Sequence, residues 1–339
     1  MTPSLPSGKL PKVLLAAFLE KYARPVPGVV LGARVGEDAA VLESPEGYLV
    51  VATDPVTFAT REIGHYGVTI NANDVTSRGA TPRWFLMTLL LPERGVTEGG
   101  VEEIFRQVES ACSRIGVGLV GGHTEVTPGL DRPLLIGTMI GEVAKEHLVT
   151  TAGARVGDDL LLTKGIAVEG TALLAREREA VLRARGYDDA FIEKAQGYLY
   201  HPGISVVEEA LLAVREARVS AMHDPTEGGL SAGLYELSEA AGVGIEVERD
   251  RIPVLPETHR LCQEFQLNPL GLIASGALLI ACHPEDSERL RSVMKGAGIP
   301  VSRIGRVVPR ERGVVFLTGE GEQPLPLFER DEIVKLFEG

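Results

Sequence analysis

Cysteine is scarce in this chain. The residues Cys112, Cys262 and Cys282 are the only 3 among 339, and none belongs to a C-x-x-C pair. An odd, scattered set excludes a disulfide framework and a structural zinc site, and reads as buried small hydrophobes in a reducing compartment. Long apolar runs are also missing. VLLAAFL at 13–19 is short and is followed by Glu20, and Leu10, Val13, Leu14, Ala17 and Phe18 share one helical face. That pattern predicts a surface helix rather than a signal peptide. No run reaches membrane-spanning length, so a soluble cytoplasmic protein is expected. Positive charge is in deficit: Lys plus Arg is 34, Asp plus Glu is 47, and the net charge is -13. Such a surface repels nucleic acid and anionic lipid, and neither is expected as a partner. The common signatures are missing as well: no G-x-x-x-x-G-K-[ST], no G-x-G-x-x-G opening a helix after a strand, no G-x-S-x-G and no H-E-x-x-H. A nucleotide bound here is not held by the usual phosphate loops.

What is present is a globular composition, 44% hydrophobic and 24% charged, with enough apolar residues for a real core. The length suggests two domains. YLVVATD (48–54), WFLMTLLL (84–91), GLVGGHTEV (118–126) and RPLLIGTMIGEV (132–143) read as strands, and 62–78 and 101–116 as helices. GARVGDD (153–159) is rich in turn residues, and the domains are placed at 1–150 and 151–339. The second begins with the strand LLLTKG (160–165) and continues with a helix from about Gly170, another over 204–217, MHDPTEGGL (222–230) leading into a helix, and GIEVERD as a strand. ASGALLIACH (274–283), SERLRSVMKGAG and a closing strand near 300–308 follow. Strands and helices do not alternate regularly, so the expected class is α+β rather than a doubly wound sheet.

Acidic residues sit beside glycines at the ends of apolar strands: Asp38 in GEDAAV, Asp54 in VVATDP, Asp74 in NANDVTSRGA, and Asp224 with Glu227 in MHDPTEGGL. In the 62–78 helix, Ile63, Tyr66, Gly67 and Ile70 recur at three- and four-residue steps, which places Asp74 on the same inward stripe, flanked by Asn71 and Asn73. A buried carboxylate must be paired or must bind a cation, because burial alone drives it to protonate. Several in one site require hard cations between them, and Mg²⁺ takes oxygen ligands shared with phosphate. Taken singly, Asp38 and Asp54 read equally as turn or cap residues, and Asp224 as an N-cap. Gly121 and Gly122 fit either a tight strand end or a close approach to phosphate. His123 is a candidate acid, base or ligand, or a hydrogen-bonded structural histidine. Lys164 could meet a phosphate as a point charge or lie in solvent at its strand end.

The order of these motifs carries more than any one of them. GEDAAV, TD ending a strand, N-x-N-D-x-x-x-x-G-A-x-P, GG-x-T, GD-x-L-L-L-T-K-G and HDPTEGGL together resemble the AIR synthase (PurM-like) superfamily over about residues 28–310. The HypE-type hydrogenase maturation proteins are the branch most similar, and SGKLP (7–11) and NPLGLIASGALLI (268–280) also look like it. The resemblance implies a two-domain PurM-like fold, with an N-terminal mixed sheet that forms a barrel across a homodimer and a C-terminal α+β domain. It implies ATP with Mg²⁺ held by Asp38, Asp54, Asp74 and Asp224. Asn71, Asn73, Gly121, Gly122 and Lys164 would lie on the nucleotide, and Asp74, His123 and Glu227 would act in catalysis. The implied reaction activates a carbonyl-, amide- or carbamoyl-type oxygen by phosphoryl transfer. The alternatives are a small-molecule kinase like thiamine-monophosphate kinase, or a non-catalytic nucleotide-binding partner of another maturation protein. The chain departs from the HypE pattern in three places. It ends DEIVKLFEG without a cysteine, so self-modification at a C-terminal cysteine is not expected; GGDT is GGHT; and DPTRGG is DPTEGG.

Overall fold

The computed structural model describes residues 10–336 other than 25, 35, 58 and 60. The start of SGKLP and the last three residues of DEIVKLFEG lie outside the described residues. The chain divides into two compact units. The smaller holds 28–31 and 38–148; the larger holds the described residues of 10–27, 32–37 and 149–336. A helix α1 (Lys12–Tyr22) in the larger unit buries no residue, as its pattern predicts.

The smaller unit is a 6-stranded sheet with two helices packed on it. Its strands are β1 (Val29–Leu31), β2 (Ala40–Ser44), β3 (Gly47–Val56), β4 (Thr81–Pro92), β5 (Gly118–Thr127) and β6 (Leu134–Val143), in the order β1-β2-β3-β6-β4-β5. Only β4 and β5 run parallel. The α-helices are α2 (Ile63–Thr76) and α3 (Glu98–Arg114). α3 is amphipathic, buries Ile104, Val108, Ala111 and Cys112, and is capped by Thr97, whose Oγ1 accepts the Gly100 N–H.

α2 differs from its sequence pattern. Almost the whole helix is buried, and Ile70, assigned to the inward stripe, is only half-buried. The reason is that α2 lies between β3, β6 and β4 on one side and α3 on the other. Small residues make the fit possible. A Cβ on Gly67 would lie 2.3 Å from Leu135 of β6, and one on Gly64 would lie 2.7 Å from the Ile104 carbonyl of α3. β1 pairs antiparallel with β2, and β2 with β3.

The larger unit holds a 7-stranded sheet, in the order β13-β12-β9-β11-β7-β10-β8. Its strands are β7 (Asp159–Thr163), β8 (Val219–His223), β9 (Gly244–Glu248), β10 (Leu279–Cys282), β11 (Val301–Val308), β12 (Val314–Thr318) and β13 (Gly321–Pro324). Period-two alternation divides the core. Leu160, Leu162, Leu279 and Ala281 pack with Leu230, Leu234 and Leu237 of the helix α8 (Gly229–Ala241). Leu161, Ile280 and Cys282 face the other way, against helices that contain Ala210 and Leu290. The strand near 300–308 does not close the sheet: the hairpin of β12 and β13 follows it, and β12 pairs parallel with β9. The class is α+β, as the irregular order of elements implies. Burial pushes the thiols up, Cys112 to about 11 and Cys262 and Cys282 to about 12, so all are unreactive core residues. Among the described residues, no helix is long and apolar enough to cross a membrane.

Candidate functional site

In the smaller unit Asn71, Asn73 and Asp74 lie on α2, and Asp54 and Asp38 are linked to residues on it or just past its end. Asn71 is fully buried, and its amide grips β3 from the helix. The Asp54 N–H donates to Asn71 Oδ1 at 2.8 Å, and Asn71 Nδ2 donates to the Asp54 carbonyl at 3.2 Å and to the Gly67 carbonyl at 2.8 Å. Space for that amide comes from β6. Gly137 pairs with Asp54 in register, and a Cβ there would lie 2.4 Å from Asn71 Nδ2. Asn71 therefore holds the backbone that carries Asp54 and spends its own polar atoms doing so. The Asp54 residue is left half-buried, with its backbone fixed.

One turn further along, Asn73 and Asp74 are buried, at 0% and 2% exposure. The helix ends there through Ser77, whose N–H donates to the Asn73 carbonyl and whose hydroxyl donates to the Asp74 carbonyl, each at 2.8 Å. Arg78 follows and is completely buried, a placement that the sequence reasoning missed. Its guanidinium reaches Asp38 at 3.3 Å, and the Asp38 side chain is 31% exposed. The signal for Arg78 lay in plain view inside NANDVTSRGA. An arginine directly before a helix-stopping glycine reads as solvated, and only burial shows otherwise.

Gly121, Gly122 and His123 lie on β5, at the edge of the sheet, where nine of ten residues are exposed in this chain. Gly122 has φ +147, and a Cβ there would lie 1.9 Å from the Met87 carbonyl of β4. Its identity is fixed by the approach of its own neighbour strand. At Gly121 the nearest atom would be Leu86 Cδ2 at 3.8 Å, so a side chain fits there. His123 is exposed, with Nε2 3.1 Å from Glu125 Oε2. The hydrogen bonds from His123 and then from Thr127 hold the Glu125 carboxyl below its usual range.

In the larger unit, Asp224 is 2% exposed and follows β8 directly. His223 before it is also buried, with Nε2 3.0 Å from Glu236 Oε2. The turn then runs Pro225, Thr226, Glu227, Gly228, Gly229 into α8. Gly228 and Gly229 adopt φ +81 and φ +65, a left-handed pair that glycine takes without strain. Glu227 is half-buried on this turn. Lys164 stands apart from the phosphate contact expected of it. It is 7% exposed, and its ammonium meets Glu209 Oε1 at 2.7 Å and the carbonyls of Gly203 and Ser205. Two carbonyls accept its protons and the Glu209 carboxylate lies against its charge inside the unit, where it acts as a buried brace.

Sequence reasoning also passed over Glu169 and Asp331. Glu169, in the first turn of the helix Val168–Glu177, is 7% exposed, and burial raises its carboxyl to about 7 despite Ser275 beside it. Burial likewise raises Asp331 to about 6, even though it accepts backbone N–H bonds, with the charge of Glu227 adding to the rise.

The fold and these motifs define the class. Residues 36–143 match the family model of the AIR synthase related protein N-terminal domain, and residues 155–318 match that of its C-terminal domain. The chain belongs to the AIR synthase-related family. Within it, the chain is 31% identical over 292 residues to a carbamoyl dehydratase HypE of Cupriavidus necator, covering 83% of this chain and 80% of that protein. A crystal structure of the hydrogenase maturation protein HypE in complex with ATP is 25% identical, with a TM-score of 0.71 over 97% of this chain and 98% of that one. A ThiL structure complexed with AMPPCP and TMP shares the fold at a TM-score of 0.74 and 22% identity, over 94% of this chain and 95% of the other.

Proposed function

We propose that this protein is an ATP- and Mg²⁺-dependent enzyme that activates a carbamoyl- or amide-type oxygen by phosphoryl transfer. The observation that carries the reading is that Asp74 is buried in α2, Asp54 is tied to that helix through its backbone and Asp38 pairs with Arg78 just past the helix end, in a chain similar to a carbamoyl dehydratase. The donor set fits a hard cation, since Asp38, Asp54, Asp74 and Asp224 offer carboxylate oxygens and the thiols are buried elsewhere. Asp38, Asp54 and Asp74 of the smaller unit would hold the ion, which when bound would neutralise the charge of the nucleotide phosphates, and Asp224 is a candidate ligand in its own unit.

The chain's own residues supply position and proton traffic. Asn71 and Asn73 keep the wall rigid around Asp54 and Asp74. The acceptor's carbonyl oxygen attacks the γ-phosphorus as the bond to ADP breaks, and one amide N–H proton leaves. The C–O bond then breaks, phosphate departs, and loss of the second N–H proton leaves a carbon–nitrogen triple bond. Glu227 and His123 are the groups assigned to move these protons. A second copy of the chain is assigned to the bare edge of β5, where Leu119, Val120 and Val126 are exposed. A maturation protein that delivers the carbamoyl group is the further partner this reading implies.

Calorimetric titration with ATP and Mg²⁺, followed by turnover against a panel of amides and carbamoyl compounds, tests the reading. Binding with ADP release that depends on one acceptor supports it, and absence of turnover with every acceptor counts against it. A product that retains the phosphate would move the assignment to a small-molecule kinase. Binding with no transfer would leave a nucleotide-binding partner.

A further inference from the structure

The turn that carries Glu227 opens α8 at Gly228, a residue with no side chain to cap the helix. The carboxylate at that place comes from 103 residues away. Asp331 Oδ2 accepts the Gly228 N–H at 2.6 Å, and Oδ1 accepts those of Ile273 at 3.2 Å and Ile333 at 2.8 Å. Asp331 is 5% exposed and lies beyond the residues 155–318 that the family model matches. Around it the C-terminal segment is fastened along the same turn and helix. Tyr235 donates its hydroxyl proton to the Leu325 carbonyl at 2.7 Å, Ser231 donates to the Pro326 carbonyl, and the Asn268 N–H donates to Glu332 at 2.8 Å. The turn is also anchored at the Thr226 carbonyl, which accepts the Ala274 N–H at 3.2 Å. A backbone anchor directly after Glu227 is thus a remote charged group.

We propose that Asp331 is a positioning residue: through the Gly228 N–H its carboxylate sets the Thr226–Gly228 turn and so the placement of Glu227. The consequence for turnover rests on the function proposed above; the consequence for the turn does not. A carboxylate that accepts N–H bonds from three separate segments ties them into one unit, and charge-assisted bonds of this kind are among the stronger ones. The charged groups about it are Glu227, Glu169, and Glu332, which pairs with Lys335 at 2.6 Å. Burial, with the charge of Glu227 adding to it, raises the carboxyl to about 6, so the tie is ionised at neutral pH and weakens on acidification.

Hydrogen exchange on the full-length protein tests this without any ligand. In the wild type, protection of the Gly228 and Ile273 amides, corrected for intrinsic rate, is expected to fall about tenfold from pH 7 to pH 5, while strand amides of β7 and β10 hold theirs. Protection that is constant across this range overturns the proposal. In Asp331→Asn the same amides are expected to exchange at least about tenfold faster at pH 7 and to lose the pH dependence. Retention of both overturns it. With an acceptor that turns over, Asp331→Asn lowers kcat more than it raises KM for ATP, and Asp331→Glu recovers part of kcat; an unchanged kcat overturns the positioning role. If the wild type binds no ATP, the functional reading fails while the exchange data still judge the tie.

Discussion

The two units hold their acidic residues in opposite ways. In the smaller, Asp74 sits in a helix buried on nearly every side, and Asn71 clamps the neighbouring strand at Asp54. Burial and close packing fix those positions from within a continuous stretch of chain. In the larger, Glu227 sits on a turn whose left-handed glycines are held by Asp331, far away in sequence. The helix needs small residues on its neighbours, whereas the turn needs a remote anion. The difference teaches that a motif can be self-supporting or can depend on a residue that no local pattern names.

The largest expected effect falls on the helix side. Asp74→Asn removes a charge without changing shape, and ATP-dependent turnover is expected to drop by about 100- to 1000-fold, as for loss of one electrostatic stabiliser. Thermal unfolding within a few degrees of wild type would assign that loss to chemistry. The edge strand sharpens the comparison next. Gly122→Ala drives a Cβ into the Met87 carbonyl at a left-handed position and is expected to cost roughly 3 kcal/mol in urea unfolding, whereas Gly121→Ala costs under about 1 kcal/mol.

On the turn side, the sign of the pH effect is informative. Burial raises Glu169 from 4.5 to about 7, so the folded state binds its proton more tightly than the unfolded chain does. Its contribution to stability is fully present below about pH 4.5 and is lost as pH rises through about 7. Glu169→Gln is therefore expected to be more stable than wild type at pH 8, by up to about 3 kcal/mol, with the difference closing toward pH 4. Urea midpoints across that range check it. A smaller effect than that of Gly122→Ala is expected for Asn71→Ala, at roughly 2 kcal/mol, because the Asp54 N–H loses its acceptor. A much smaller loss in urea unfolding would show that the clamp is not what fixes β3.

Much of this was legible in the sequence, for identifiable reasons. An apolar strand ending before Asp, and Gly-Gly before an apolar helix, are local patterns, and the structure places Asp224 and the Gly228 turn where they fall, whereas Asp54 lies inside β3, which continues to Val56. The burial of Asp74 was legible because it falls on the stripe of an apolar helix. Arg78 was passed over and the burial of Lys164 missed because long cations normally reach solvent; here acceptors from distant segments take them inward. Asp331 and Glu169 were invisible because each is an ordinary acid beside an ordinary helix or loop, and its importance is created by residues far away in sequence. The hairpin of β12 and β13 was missed because its second strand, Gly321–Pro324, is short and polar.

The central claim is that the acceptor's own oxygen takes the γ-phosphoryl group and leaves with it. It is tested most directly by giving the enzyme ATP and an acceptor amide whose carbonyl carries heavy oxygen, and then following the label by mass spectrometry. The account predicts one labelled oxygen in each inorganic phosphate released. Phosphate that takes its oxygen from water, or a label that stays on the organic product, would contradict it.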